Sequence, residues 1–268
     1  MLEDLQAGKL YDFCFNCFLV NDPTKHEFVP DDVQRIQTQK SLDARLKYVY
    51  NYKEESTKNL LDLIDSAGIR RKEAFAGDYS DKPKLTIISP TRDYYESLLP
   101  KFRHRLKFNW TLEALEENMY NTESDTLDET TLSKALDDAT DDTSAHNQSS
   151  IVFLLETDDE QKFLFTGDAG RDAFNHIPRK LLGTLSGVTW MKVPHHGSKH
   201  NLDSTIIKHV NPKIAYISTE KEGKYLNRAT VFALKKNGTK VYSTSQNRST
   251  IRYGAIKTRE GWSKIKPM

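Results

Sequence analysis

Only two cysteines occur in 268 residues, so no disulfide framework holds this chain together. No apolar run reaches the roughly 18–20 residues that a bilayer requires. The first residues, MLEDLQAGKLYDF, lack a basic segment followed by an apolar one, so they do not read as a secretory signal. An excess of one charge is also missing. Lys plus Arg is 39 against 38 Asp plus Glu, a formal net charge of +1, which argues against a dedicated non-specific DNA coat. Hydrophobic residues make up a modest 37%, but they come in blocks, which suffices for a core. The expectation is a soluble, cytoplasmic, globular protein with no membrane segment.

Residues 10–20, LYDFCFNCFLV, predict a strand. Residues 31–67 place Leu42, Leu46, Val49, Leu60, Leu61 and Ile64 at helical spacing and predict a helical region closed by Gly68. LTIISP (85–90) predicts a short buried strand stopped by Pro90, with a helix over 92–106. Residues 121–150 hold eight acids, one lysine and no aromatic side chain. That composition predicts a flexible acidic loop with a short helix at Leu132–Leu136, either a solvated insertion or a lid over a site.

After Ser150 the pattern changes. IVFLL (151–155) and KFLFT (162–166) flank a polar turn and predict a β-hairpin. Helices are expected near Arg171–Leu182, 203–210 and 229–236. Strands are expected at 188–194, 214–218, 240–244 and 249–254. This alternation predicts an α/β layered fold in a single domain, 1–268, with a helical insertion near 31–80.

Two motifs carry the chemistry. In Phe165-Thr166-Gly167-Asp168-Ala169-Gly170 a strand ends on an aspartate between glycines, which lets a ligand or metal approach the backbone. In Val193-Pro194-His195-His196-Gly197-Ser198 two histidines follow an apolar strand, and imidazole is the commonest zinc ligand. Together they mark Asp168, His195 and His196 as candidate metal ligands and catalytic residues. Cys14-Phe15-Asn16-Cys17 is a single C-x-x-C inside an apolar stretch and reads as two buried thiols. Lys192, Lys199, Lys208 and Lys213 are expected around the site, either to meet an anionic substrate or as ordinary scattered surface lysines.

FLFTGDAG, WMKVPHHGSKHN, NPKIAYIST and NGTKVYST, in that order, resemble the C-terminal half of metallo-β-lactamase-fold hydrolases. The nearest flavour is the soluble hydrolase domain of ComEC-type competence proteins and its free-standing relatives. HNQSSIVFLLE and LTIISP add to the resemblance, which covers residues 85–254. It implies a four-layered αββα sandwich with a dinuclear, usually zinc, centre. It also implies that Asp168 bridges two metals, that His195 or His196 is a ligand, and that a bound hydroxide attacks a phosphoester or other anionic ester. The substrate would be a small-molecule or nucleic-acid phosphoester.

Two departures accompany the resemblance. The family's H-x-H-x-D-H signature is absent, and Tyr225-Leu226-Asn227-Arg228 stands where relatives carry Tyr-Gly-His-Pro. His146 is a candidate substitute ligand, or an exposed loop histidine. The expectation is a truncated or partly degenerate hydrolase whose N-terminal strands and main ligand loop would lie upstream of Met1. The alternative is a catalytically inactive binding or interaction module.

Overall fold

The computed structural model describes residues 17–21, 66–81, 83–101, 128–219, 226–244, 250–252, 262–264 and 267–268. Most of the expected strand 10–20, the helical region 31–65 and residues 121–127 lie outside this set. So does Cys14 of the C-x-x-C pair.

The chain forms a mixed α/β structure around one seven-stranded sheet of order β3-β4-β5-β6-β7-β8-β9. Strands β3 (Tyr79–Asp81), β4 (Lys84–Ser89), β5 (Val152–Glu156) and β6 (Lys162–Phe165) run antiparallel. From β6 onward β7 (Trp190–Lys192), β8 (Ile214–Ile217) and β9 (Lys240–Ser243) are parallel, as crossover helices between them require. Two small parallel pairs stand apart, β1 (Cys17–Leu19) with β2 (Arg70–Lys72) and β10 (Thr250–Arg252) with β11 (Trp262–Lys264). Strands β4 to β10 fall where the sequence reading places strands.

Alternation within the strands gives the sheet two unlike faces. Leu154, Leu164, Met191, Ala215 and Val241 are neighbours in register and are fully buried against helices. The other face carries half-buried aromatic rings across five strands. Phe153 stacks on Phe165, Trp190 bridges Phe165 and Tyr216, and Tyr216 stacks on Tyr242.

Seven α-helices are described, and the sequence sets most of their ends. Helix α1 (Arg92–Leu98) starts where Thr91 accepts from the Tyr94 N–H. Helix α2 (Glu129–Asp137) is capped by Asp128 and buries Leu132 and Leu136, four residues apart on one face. It extends the helix expected at Leu132–Leu136, and α3 (Ala145–Gln148) follows. The single helix expected near 171–182 is split into α4 (Arg171–Asn175) and α5 (Arg179–Leu182), because Pro178 has no N–H to continue the first. Helix α6 (Ser204–Val210) is capped by Asp203, and α7 (Arg228–Lys236) by Asn227.

A buried arginine ties the acidic stretch to this frame. Arg171 is only 6% exposed, and its guanidinium donates to the carbonyls of Leu136, Ala139, Lys199 and Leu202. It also pairs with Asp141 at 3.1 Å. Residues 136–142 are thereby fixed against the loop after His195.

Candidate active site

The site forms where β6 and β7 end side by side. In α/β sheets this carboxyl edge is where ligands bind, since loops diverge there and helix N-termini point in. After β6 the chain turns at Gly167 (φ +56), where a Cβ would come within 2.9 Å of Ser150. Only glycine fits such a turn without moving its neighbour. The turn presents the Asp168 N–H to Ser150 Oγ at 3.1 Å and leaves the Asp168 carboxylate 41% exposed. Thr166 Oγ1 donates to the Lys192 carbonyl at 2.7 Å, which locks this turn to the end of β7.

After β7 the backbone is strained. His195, His196 and Gly197 occupy positive φ in succession, at +43, +55 and +90. A non-glycine residue in this region costs on the order of 1–3 kcal/mol and persists only where its surroundings dictate it. The His195 N–H donates to the Gly167 carbonyl at 3.3 Å, so the two motif loops are directly joined.

His195 is oriented by Asp142. Its Nδ1 lies 3.2 Å from Asp142 Oδ2. A carboxylate accepts only, so this contact selects the Nδ1–H tautomer and makes Nε2 the lone-pair nitrogen. Asp142 also accepts from the Ser144 N–H at 2.8 Å, Asn147 Nδ2 at 2.7 Å and Asn201 Nδ2 at 3.1 Å. Burial on its own raises the Asp142 carboxyl pKa. The donors His195, Asn147, Ser144 and Asn201 outweigh it and hold that pKa below the ordinary range. Asn201 reaches Asp168 as well, donating to its carbonyl at 3.1 Å.

Asp168 faces Lys192. The ammonium lies 3.5 Å from Asp168 Oδ1 and donates to the Gly167 carbonyl. Burial lowers the Lys192 pKa, and the Asp168 charge restores part of that loss.

Of the expected site residues, Asp168, His195 and His196 come to one end of the sheet. They do not converge on a single point. The His195 and His196 rings are 6.1 Å apart, and His196 Nδ1 bonds the Ser218 carbonyl. Among the described residues no group of three His, Cys, Asp or Glu side chains is placed to hold a metal ion. His146 is half-buried on α3 rather than on an exposed loop, and its neighbour Asn147 is the residue that reaches the site. Lys192 joins the site as expected. Lys208 and Lys213 do not, because α6 carries them to the opposite end of the sheet, and Lys199 is buried beside Arg171.

Sequence reading missed Asp142, one of eight acids in a stretch without an apolar rhythm. A usable signal was nonetheless present. Asp142, Asn147 and Ser150 immediately precede the strand paired with the one ending on Asp168, so the hairpin returns them to it.

No helix among the described residues is long and apolar enough to cross a membrane. No family model matches the chain. Among curated proteins, ComE operon protein 3 of Bacillus subtilis (strain 168) is 30% identical to it over 128 residues. The match takes in 47% of this chain and 16% of that protein, so the chain spans less than a fifth of its relative's length.

Proposed function

We propose that the chain is a domain of the metal-dependent hydrolase class of the metallo-β-lactamase superfamily, in a partly degenerate form. Its ligand would be a phosphodiester or other anionic ester. One observation carries this reading: the TGDAG and PHHGS loops meet at adjacent strand ends, with His195 held by Asp142 at Nδ1. A metal-binding imidazole is commonly held in this way, its second nitrogen given to a carboxylate. The helix-covered sheet with an aromatic second face also suits one half of an αββα sandwich.

Asp168 and His195 fit half of a metal centre, with His196 the alternative imidazole. A catalytic zinc takes three protein ligands and a water, more than these residues provide. When bound, zinc or a related ion supplies a Lewis acid and an activated water. The chain's own residues do the rest. Asp142 keeps the His195 proton at Nδ1, Lys192 brings positive charge beside Asp168, and Asn201 fixes the spacing between the two loops.

A second reading, a binding module without metals, is favoured by the Lys192 ammonium beside Asp168, where a cation is already supplied. Zinc titration of the full chain against a chromophoric chelator separates the two. The hydrolase-derived reading expects weak zinc binding, under one tight equivalent, that disappears in both Asp168→Ala and His195→Ala. Zinc affinity unchanged in those variants, or no zinc binding at all, supports the binding module instead. Turnover of bis(p-nitrophenyl) phosphate with zinc or manganese, lost in Asp168→Ala, would extend the first reading to catalysis.

A further inference from the structure

The charge balance of the whole chain hides a strong asymmetry. Residues 204–268 contain 14 Lys and Arg but three Asp and Glu, a net +11, so residues 1–203 carry −10 within the total of +1. Such a split between segments points to a polyanionic partner. Two described stretches of this segment, 204–219 and 226–244, hold five lysines, one arginine and no acid.

The fold gathers the five lysines at one place. Lys208 lies in the last turn of α6, Lys213 precedes β8, Lys235 and Lys236 end α7, and Lys240 begins β9. Since β7, β8 and β9 are parallel, all five lie at the end of the sheet opposite Asp168 and His195. The two turns that present them touch. The Lys240 N–H donates to the Lys213 carbonyl at 3.0 Å, and Asn237 Nδ2 donates to Asn211 Oδ1 at 3.0 Å. All five lysines are exposed.

Helix dipoles account for cations in the last turns of α6 and α7. They do not account for Lys213 and Lys240, which start strands. Acids border the group: the β5–β6 turn, with Asp158, Asp159 and Glu160 exposed, lies at the same end of the sheet, two strands from β8. Asp137 lines the same groove as Lys208 and Lys236, and its Oδ1 already accepts the Ser204 N–H.

We propose that this end of the sheet docks the sugar–phosphate backbone of a nucleic acid. Five clustered lysines suit a repeating phosphate charge, and they read no sequence. An anionic membrane fits less well, because interfacial anchoring adds an apolar element to the basic one. Among the described residues the one exposed large hydrophobic side chain is Tyr79, on β3 at the far edge of the sheet. The surface is separate from the Asp142–His195 site and does not depend on the hydrolase reading.

The test is fluorescence anisotropy of the full chain with a labelled 20-base-pair duplex of arbitrary sequence, in EDTA, from 50 to 200 mM salt. The variant replaces Lys213, Lys235, Lys236 and Lys240 with Gln. A control replaces Arg70, Lys101, Arg179 and Lys180, also exposed, with Gln. The expected result is binding weakened about tenfold or more in the first variant only. Its log–log salt slope should flatten by about 3–4, close to one per lost phosphate contact. If that variant fails to fold, the pair Lys213→Glu with Lys240→Glu takes its place and should show the same direction. Equal loss in the control, or no loss in either, overturns the proposal. So does binding abolished by Asp168→Ala but kept in the lysine variant, which would place the nucleic acid at the carboxylate site. Capture by phosphatidylserine vesicles without duplex binding overturns it in favour of a membrane.

Discussion

Asp142 and His195 are 53 residues apart in sequence and 3.2 Å apart in space, and each fixes what the other can do. The carboxylate decides which imidazole nitrogen carries the proton. The imidazole, with two amides and a backbone N–H, keeps the buried carboxylate charged. Asp142→Ala would leave these donors without their acceptor. It should cost about 2–4 kcal/mol of stability, whereas Asp142→Asn, which keeps one acceptor oxygen, should cost less. Urea unfolding of the two variants checks the order. Equal losses would show that a neutral acceptor recovers nothing and that the charge carries the whole contribution.

Arg171 offers a contrast between buried and exposed interactions. Its guanidinium serves four backbone carbonyls inside the fold, while its ion pair with Asp141 is half exposed. Arg171→Leu should therefore cost on the order of 2–4 kcal/mol, and Asp141→Asn under about 1 kcal/mol. Limited proteolysis adds a local readout. Cleavage within 136–142 should rise in Arg171→Leu and stay near the wild-type rate in Asp141→Asn.

Gly170 is the last residue of the TGDAG motif for a packing reason. A Cβ there would meet Gln148 Nε2 at 2.1 Å. Gln148 in turn joins three elements, donating to the Asp142 carbonyl and accepting from Tyr94 and the Ala173 N–H. Gly170→Ala should lower stability by about 1–3 kcal/mol through overpacking. Adding Gln148→Ala should recover part of that loss, measured as a double-mutant cycle.

Tyr94 gives a pH dependence away from the site. Burial, and then its bond to Asp172 at 2.9 Å, pushes its hydroxyl well above the ordinary tyrosine value of 10.0. The unfolded chain then loses this proton near pH 10 while the folded chain keeps it. The contribution is complete below pH 10 and declines as pH rises through the folded value. Between pH 10 and 11 the wild type should lose stability faster than Tyr94→Phe. Parallel declines in urea midpoint would refute the assignment.

The sequence by itself determined the local elements and the two motifs. Alternation in IVFLL, KFLFT and IAYIS placed strands because a period of two buries one face of a sheet whatever its partners. Asp128, Asp203 and Asn227 set helix starts through bonds to N–H groups two or three residues away, which are local. Asp168 between glycines and the His195-His196 pair were legible for the same reason. Asp142 was not, because nothing local distinguishes it from Asp141. Only the β5–β6 hairpin and the Arg171 clamp turn the first toward His195 and leave the second half exposed. The division of the two histidines, one toward Asp142 and one toward Ser218, was likewise hidden. It follows from three consecutive positive φ values that the surrounding contacts impose. Lys208 and Lys213 follow the site motif in sequence but sit at the far end of the sheet, since a helix that crosses between parallel strands must carry the chain back to where the next strand begins.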